Sequence, residues 1–402
     1  MGRNSFLLLV IVCLAQTLPA WSQGDSVPAL AWQYRLKAPV FSAPAGDDKA
    51  VYFGSLDSCF YALELNSGAL LWKYKTKGGI RSAPLLQQER LYFISDDGFV
   101  YCLSAKGKLQ WKFDAASVKK YDFADYHQSS LVIDQGVLFF GSGDGHVYGL
   151  HAADGRLKWK FKTGDAVHAT PAFDENAVYA GSFDGFFYAL DKASGSLLWK
   201  FKTLGHRYFP KGEVQGSPVL SDKLVFFGAR DYNVYALDKK AGYCHWNKAF
   251  PKGWVLSLQC ADSVLYMAGA DERILMAADP VSGKESWCRE MEFLMFGKVV
   301  KEGASLFIGT TIGKVHAVSA VDGKGVWTFC TQGYTENRFK YFKEDDRYRD
   351  DIYSIIRSDE HFLDVECELG GIFSTVLSTG HYMVFSSTEG AVYCLRKPGM
   401  KK

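Results

Sequence analysis

The sequence predicts an all-β protein, an eight-bladed propeller in which every blade is a four-stranded antiparallel sheet. Two observations predict this fold. A Trp-centred phrase recurs about every forty residues, and four short apolar segments repeat in a fixed order within each interval. A repeat of this length is typical of propellers and other repeat arrays. The composition agrees, because aromatic residues (15%) favour strands and the 39 glycines favour turns.

The four strands of a repeat can be assigned in order. The first opens at "SAP" or a variant, and the second is an apolar run such as "AVYFGS". A tight turn with an acidic residue leads to a third strand of the type "FYAL", and a glycine turn leads to the Trp strand, as in "GALLWKYKT". The Asp-Gly turns between these strands are typical of antiparallel hairpins.

The two ends of the chain predict how the ring closes. The first Trp strand, "LAWQYRL", precedes any complete set of strands, and the last set, ending "AVYCLR", has no Trp strand after it. We therefore expect the N-terminal strand to complete the eighth blade, which hides the sheet edges. An open array, or a seven-bladed ring with a stray repeat, is the alternative.

The termini lie outside the propeller, which we assign to residues 30–396. Residues 1–22 have a basic residue, an apolar run and small residues before Gln23, which is typical of a secretory signal; a buried helix or membrane anchor is the alternative. Residues 397–402 form a short basic tail. The net charge of +2 gives no reason to expect a nucleic-acid partner, and no later segment predicts a transmembrane helix. We expect an exported monomer, periplasmic or extracellular.

The phrase G-x-L-x-W-K-x-K-T, with Y-A-L-D ahead of it, resembles the repeat of the pyrroloquinoline-quinone (PQQ)-like propeller family over nearly all of residues 30–396. The resemblance implies that the Trp of each outer strand docks against the neighbouring blade. The implied girdle consists of Trp32, Trp72, Trp111, Trp159, Trp199, Trp246, Trp287 and Trp327.

The resemblance implies two alternative functions. Quinoprotein dehydrogenases bind PQQ at the channel mouth with calcium, whereas BamB-like propellers of the outer-membrane assembly machinery are binding scaffolds. This chain has no adjacent cysteine pair and no clear match to the calcium ligands, which favours the scaffold, with no catalytic residue, cofactor or metal. An enzyme that depends on PQQ or another small ligand, with its site at the channel mouth, is the alternative.

Three long connections mark one face of the propeller. They are 114–127, 204–214 and about 330–372, and each lies between a Trp strand and the next "SAP" strand, so all three should rise on the same face. Loops on a rigid scaffold commonly carry binding residues. We expect a protein or polysaccharide partner there. The charged and aromatic third insertion is a lid or docking arm, or else a solvated helix-like flap.

The channel mouth on this face is the predicted binding site. The residue three before each "SAP" proline, or its equivalent, should point toward the axis. In blade order these residues are Phe41, Arg81, Gln128, His168, Gln215, Leu256, Phe296 and Phe373, and nearby rim residues are His127, His206, Tyr208 and Trp254. Polar side chains in blades two to five and apolar ones elsewhere would suit an amphipathic ligand. A filled, wet channel end is the alternative.

Turn acids and cysteines complete the set of candidates. One acidic residue stands in the second turn of every blade except blade seven, which has Ile312. Asp is favoured in turns for local hydrogen bonds, and acids spread one per blade are unsuited to calcium. Cys330 and Cys367 bracket the third insertion and are the best candidates for a disulfide, which would restrict the ends of that insertion.

Overall fold

The computed structural model describes residues 27–116 and 128–397. Within these residues the chain forms eight four-stranded antiparallel sheets arranged as blades, so the predicted eight-bladed propeller is confirmed. The predicted signal segment, the rim residue His127 and all of the basic tail except Lys397 lie outside the described residues.

The first four blades follow the chain in order from the innermost to the outermost strand. Blade one has β2 (Ala45–Gly46), β3 (Ala50–Gly54), β4 (Cys59–Glu64) and β5 (Leu70–Lys75); blade two has β6 (Leu85–Gln87), β7 (Arg90–Ile94), β8 (Phe99–Ser104) and β9 (Leu109–Asp114). Blade three has β10 (Val132–Asp134), β11 (Val137–Gly141), β12 (His146–His151) and β13 (Leu157–Lys162); blade four has β14 (Ala172–Phe173), β15 (Ala177–Gly181), β16 (Phe186–Asp191) and β17 (Leu197–Lys202).

The remaining blades follow the same order, with one insertion before the eighth. Blade five has β18 (Val219–Leu220), β19 (Leu224–Gly228), β20 (Asn233–Asp238) and β21 (Cys244–Ala249); blade six has β22 (Val255–Ala261), β23 (Val264–Gly269), β24 (Ile274–Ala278) and β25 (Glu285–Glu290). Blade seven has β26 (Val300–Glu302), β27 (Ser305–Thr310), β28 (Lys314–Ser319) and β29 (Gly325–Cys330). Helices α1 (Gln332–Tyr341), α2 (Ile352–Ile355) and α3 (Asp359–Glu368) precede β30 (Leu377–Thr379), β31 (Tyr382–Ser387) and β32 (Ala391–Arg396) of blade eight.

The two ends of the chain share blade eight. The N-terminal strand β1 (Ala29–Arg35) pairs antiparallel with β32, from Ala29 opposite Arg396 to Arg35 opposite Ala391. The first strand therefore supplies the outermost strand that the last repeat lacks. The ring closes as the sequence predicted.

The hydrophobic core lies between blades rather than within them. The second strands are buried along all or nearly all of their length, as in "AVYFG", because a neighbouring blade covers each face. Eight apolar clusters each join two adjacent blades among the described residues, and a ninth lies at the channel mouth. Phe60 stacks on Phe93 across blades one and two, with ring centroids 4.2 Å apart, and Phe187 stacks on Phe227 at 4.0 Å.

The tryptophans of the outer strands join each blade to the next. In seven of them the indole Nε1 donates to a backbone carbonyl of the following blade at 2.6–3.2 Å. The pairs are Trp32 with Leu65, Trp72 with Ala105, Trp111 with Ala152, Trp159 with Lys192, Trp199 with Lys239, Trp246 with Pro280, and Trp287 with Ala320. Trp327 is buried between blades seven and eight.

Each of the seven indole rings that donate such a bond also covers a turn glycine of the next blade. Gly195 has a φ of +75°, and a Cβ at this position would lie 2.5 Å from Cδ2 of Trp159. Only glycine combines that backbone conformation with that contact. The glycine of each phrase therefore receives the Trp of the preceding blade, while the Trp of the same phrase reaches the following blade.

The long connections lie on one face, here called the insertion face. The connections between blades and the turns from the second to the third strand belong to the same face, as Thr76 N donates to Ser58 O at 2.8 Å and Ile80 N donates to Ser55 O at 3.1 Å. The second and third insertions are connections of this kind, whereas residues 117–127 of the first lie outside the described residues. The other turns form the opposite face, where Leu65 N donates to Lys49 O at 2.8 Å.

Candidate functional site: the channel mouth and its cap

The mouth contains a second set of side chains that sequence reasoning missed. Arg81 pairs with Asp96, Gln215 pairs with Arg230 and His168 contacts Phe183, and each partner stands fifteen residues further along the chain. The equivalent positions of the other blades are Leu56, Gly143, Asp271, Thr311 and Thr388. These residues directly precede the turn acid, or Ile312 in blade seven, so the same repeat frame could have revealed them.

In blade two, Arg81 is held by Asp96. Its Nε lies 3.2 and 3.1 Å from the two carboxylate oxygens, and its Nη2 lies 3.0 Å from Oδ1. The arginine side chain is 11% exposed. A two-pronged pair of this kind is among the stronger charge-assisted interactions. The charge of Arg81 is therefore largely neutralised within the protein.

In blade five, the guanidinium of Arg230 is enclosed by aromatic rings. Its Nε donates to Gln215 Oε1 at 2.9 Å, and its Cζ lies 4.6 Å from the ring centroid of Trp254, 5.1 Å from that of Phe183 and 5.6 Å from that of Phe209. Arg230 is only 2% exposed. Desolvated cation–π contacts of this kind are stabilising.

Blades three and four enclose a small cavity. Gln128 and His168 are 9% and 3% exposed, and they line, with Ser129, a cavity of about 10 Å³. Oε1 of Gln128 is buried and has no hydrogen-bond partner within residues 27–116 and 128–397. A cavity of this size holds about one water molecule, which would satisfy that oxygen.

The apolar half of the mouth is filled by aromatic rings. The ring of Phe373 lies between those of Phe41 and Phe296, with centroid distances of 5.1 and 5.5 Å. The cap, defined here as residues 331–370, packs on this half. One apolar cluster contains residues of both the mouth and the cap. The mouth contributes Leu256, Phe296, Phe373 and Trp254, and the cap contributes Tyr334, Tyr341, Phe342, Ile352, Ile356, Val365 and Leu369. The cap therefore covers the apolar half of the mouth.

The base of the cap is joined by hydrogen bonds and not by a disulfide. Cys330 and Cys367 are both free thiols in the structure, which corrects the disulfide proposed from the sequence. Thr331 Oγ1 donates to Leu369 O at 2.9 Å, and Asn337 Nδ2 donates to Glu368 O at 3.1 Å. These bonds hold the two ends of the insertion together without a covalent link.

Blade seven lacks the turn acid and uses a different set of charges. Glu292 Oε1 lies 2.7 Å from His316 Nε2, and Lys314 Nζ lies 3.6 Å from Glu292 and 2.5 Å from Asp346 of the cap. The Tyr334 hydroxyl also donates to Asp346. Burial opposes ionisation of Glu292, but His316 and Lys314 outweigh it and lower its pKa to about 2. This network connects the cap to blade seven.

Two of the predicted rim residues, His206 and Tyr208, lie on the second insertion. The ring of His206 stacks on that of Tyr232 at 4.3 Å and contacts that of Tyr208 at 5.3 Å. Phe209 reaches Trp254, with ring centroids 5.0 Å apart, so this loop meets the mouth at blade six. Trp254 belongs to the mouth cluster rather than to an open rim.

The turn acids make local hydrogen bonds. In blade four, Asp184 accepts from Phe186 N at 2.8 Å, from Gly164 N at 2.6 Å and from the Tyr188 hydroxyl at 2.6 Å. Equivalent Tyr-to-acid bonds occur in blades one, two, three, five and eight. Among the described residues, no three Asp, Glu, His or Cys side chains converge to bind a metal ion. These hydrogen bonds explain why each of these turns has an acidic residue, because the carboxylate stabilises the turn.

We expect Asp184→Asn to lower the free energy of unfolding by about 1–3 kcal/mol, because the amide leaves part of a partly buried, charge-assisted hydrogen-bond set unmade. Urea unfolding of the variant and the parent measures this difference. Calcium and EDTA should each leave the unfolding midpoint of the parent unchanged. A midpoint that rises with calcium in the parent but not in the variant would contradict the turn explanation.

The family model described as outer membrane protein assembly factor BamB matches the chain at residues 20–183, 96–211 and 188–333, which together span more than half of it. The chain belongs to this BamB family. No curated protein has a significant sequence match to the chain.

Solved structures similar to this BamB-family chain have different functions. BamB from Moraxella catarrhalis is 15% identical, with a TM-score of 0.67, over 92% of this chain and 100% of that one. The quinohemoprotein alcohol dehydrogenase from Comamonas testosteroni is 14% identical, with a TM-score of 0.68, over 95% of this chain and 80% of that one. The computationally designed Ika8 protein is 14% identical, with a TM-score of 0.67, over 90% and 97%. At such identities the similarity shows the fold alone.

The mouth of this BamB-family propeller does not fit a quinone with calcium. Its apolar half is occupied by Phe41, Phe296, Phe373 and the cap, and the cavity of its polar half has a volume of about 10 Å³. Small-molecule sites usually measure hundreds of cubic ångströms. Of the acids in the second set, Asp96 is already paired with Arg81. We therefore derive no chemical step through such a cofactor.

Proposed function

We propose that this chain is an exported, monomeric and non-catalytic scaffold that binds a protein partner through its insertion face. One observation carries the proposal. The apolar half of the mouth, where an enzyme of this fold would need an open site, is filled by Phe41, Phe296 and Phe373 and covered by the cap, and the polar half leaves a cavity of only about 10 Å³. The family match to a protein of outer-membrane assembly supports a partner that is itself a protein.

Exposed side chains on the insertion face support the location. Phe339 and Tyr353 of the cap are 57% and 55% exposed, and Leu204 of the second insertion is 71% exposed. Aromatic side chains are enriched at protein interfaces because they bury much area at little entropic cost. No helix in residues 27–116 and 128–397 has the length and hydrophobicity needed to cross a bilayer.

Site-specific photo-cross-linking in the native host tests the proposal. A photo-reactive amino acid at Phe339 or Tyr353 should give the same discrete protein adduct from both positions. Matched controls are Val281 and Val321, which are 67% and 79% exposed in turns of the opposite face. These two positions should not give that adduct. Equal adducts from both faces would contradict the proposed location.

A calorimetric titration with PQQ, with and without calcium, tests the enzyme alternative. The closed mouth predicts no heat of binding. Tight, calcium-dependent binding that is lost in Arg81→Ala would instead make the chain a quinoprotein and overturn the scaffold proposal. Labelling by oligosaccharides rather than by protein at Phe339 and Tyr353 would replace the protein partner with a polysaccharide.

A further inference from the structure

A carboxylic acid lies buried beneath the cap. Glu366, near the end of α3, is 1% exposed, and Val365 and Leu369 beside it are 3% and 0% exposed. Its Oε1 has no hydrogen-bond partner in the part of the chain that the structure describes, and neither has the buried Oγ1 of Thr311. Burying an ionised carboxylate without full compensation is costly. The closed cap therefore favours the neutral form of Glu366.

A second acid faces the first. Asp271, in the second set of mouth residues, lies near enough for its charge to disfavour ionisation of Glu366. The other groups that act on this pair are Thr311 of blade seven, Tyr348 of the cap, Cys367 of α3, and Trp254, Glu272 and Arg273 of blade six. Arg273 acts on Asp271 and Tyr348. Ionisation of both acids therefore places two like charges between α3 and blade six.

We propose that α3 is a proton-controlled lid, closed over the apolar half of the mouth while Glu366 is protonated and released when Glu366 and Asp271 are both ionised. Release uncovers Leu256, Phe296 and Phe373 as a docking surface for an apolar segment of the partner. That last step rests on the proposed function, whereas the movement of the lid is a property of the chain alone.

The pH range follows from the pKa of each acid. Burial, with a smaller contribution from the charge of Asp271, raises the pKa of Glu366 from 4.5 to about 8. Burial likewise raises the pKa of Asp271 to about 6, against the opposing effects of Trp254 and Arg273. A raised pKa means that the closed lid binds the proton more tightly than the open one. Closure is therefore strongest below pH 4.5 and weakens as the pH rises from 4.5 to about 8.

The rest of the cap is held independently of these acids. Lys314 of blade seven pairs with Asp346 of the cap at 2.5 Å. At the start of α1, Gln332 N donates to the Tyr393 hydroxyl of blade eight at 2.9 Å. The start of α1 therefore stays on the propeller while α3 moves. Opening must break the bond that Thr388 Oγ1 donates to Glu366 O at 3.1 Å. It must also break the bonds from Thr331 and Asn337 to the end of α3 that were described above.

Hydrogen exchange of the purified chain at pH 5.5 and pH 8.5 tests the lid, with exchange times corrected for the intrinsic effect of pH. From the pKa change of Glu366, the opening constant of α3 should rise on the order of a hundredfold between these values. Amides of β12 should show no comparable change, which excludes global unfolding. In Glu366→Gln, α3 should lose most of its pH response, and only the smaller contribution of Asp271 should remain.

Two further variants make the test specific. Glu360→Gln changes an exposed acid on the same helix and should keep the full pH response. Asp271→Asn removes the neighbouring charge and should give a smaller response in the same direction. An unchanged α3 in the parent, or a parental response in Glu366→Gln, would overturn the lid. Since no partner is present, such a result leaves the cross-linking test of the scaffold unaffected.

Discussion

Trp159→Ala should lower the free energy of unfolding by about 3–5 kcal/mol, the usual cost of deleting a buried tryptophan. Trp159 is 6% exposed, donates to Lys192 O at 3.1 Å and stacks against Phe139, with centroids 5.6 Å apart. Its loss leaves a cavity between blades three and four. Urea unfolding followed by circular dichroism measures the change. The matched control is Leu157→Ala, which alters a 45% exposed side chain of the same strand and should have a small effect.

A double-mutant cycle with Gly195→Ala tests the contact itself. The added methyl would meet the indole at 2.5 Å, so the single variant should be strongly destabilised. In the Trp159→Ala background the collision disappears, and only the cost of a positive φ should remain. Additive effects of the two substitutions would contradict the packing of the ring on the glycine.

Glu292→Gln should lower the free energy of unfolding by about 3–5 kcal/mol, because it leaves the buried charge of Lys314 without part of its compensation. The side chains of Glu292 and Lys314 are 8% and 10% exposed, and His316 is fully buried. The matched control is Asp322→Asn, which breaks the exposed pair with Lys324 at 2.8 Å and should have no measurable effect. Equal effects of the two substitutions would show that the buried network contributes no more to the free energy of unfolding than an exposed ion pair does.

The contribution of Glu292 should depend on pH in a defined direction. Its pKa is about 2 in the folded chain and 4.5 as a free side chain, so the ionised form stabilises the fold fully above pH 4.5. The contribution decreases as the pH falls from 4.5 toward 2. The difference in stability between parent and Glu292→Gln should narrow over the same range, as measured by urea unfolding at several pH values. A constant difference would contradict the assigned pKa.

Features that repeat were predictable from the sequence, and features that occur once were not. The blade number followed from the spacing of the tryptophans, and the closure of blade eight followed from an unmatched strand at each end. The absence of a turn acid at Ile312 was visible in the sequence. Its explanation was not, because Glu292, Lys314 and Asp346 come from three separate segments and meet only in the folded chain.

At the channel mouth, too, some features were predictable from the sequence and others were not. The repeat frame predicted the eight residues of the first set and their division into a polar and an apolar half. It did not indicate that Phe41, Phe296 and Phe373 fill the apolar half, or that α3 covers it, since helices inserted into a β repeat have no period to compare. The burial of Glu366 was hidden for the same reason, because α3 has acidic residues on both its exposed and its buried sides.

The packing of a tryptophan of one blade on a turn glycine of the next has a consequence for where the chain can begin and end. Among the described residues the series of contacts begins with Trp32 of blade eight on Gly68 and ends with Trp287 on Gly323 of blade seven. Within that part of the chain Trp327 covers no such glycine, because the third and outermost strands of blade eight belong to the two ends of the chain and have no turn between them. The break in the polypeptide therefore coincides with the one junction among the described blades that lacks the contact.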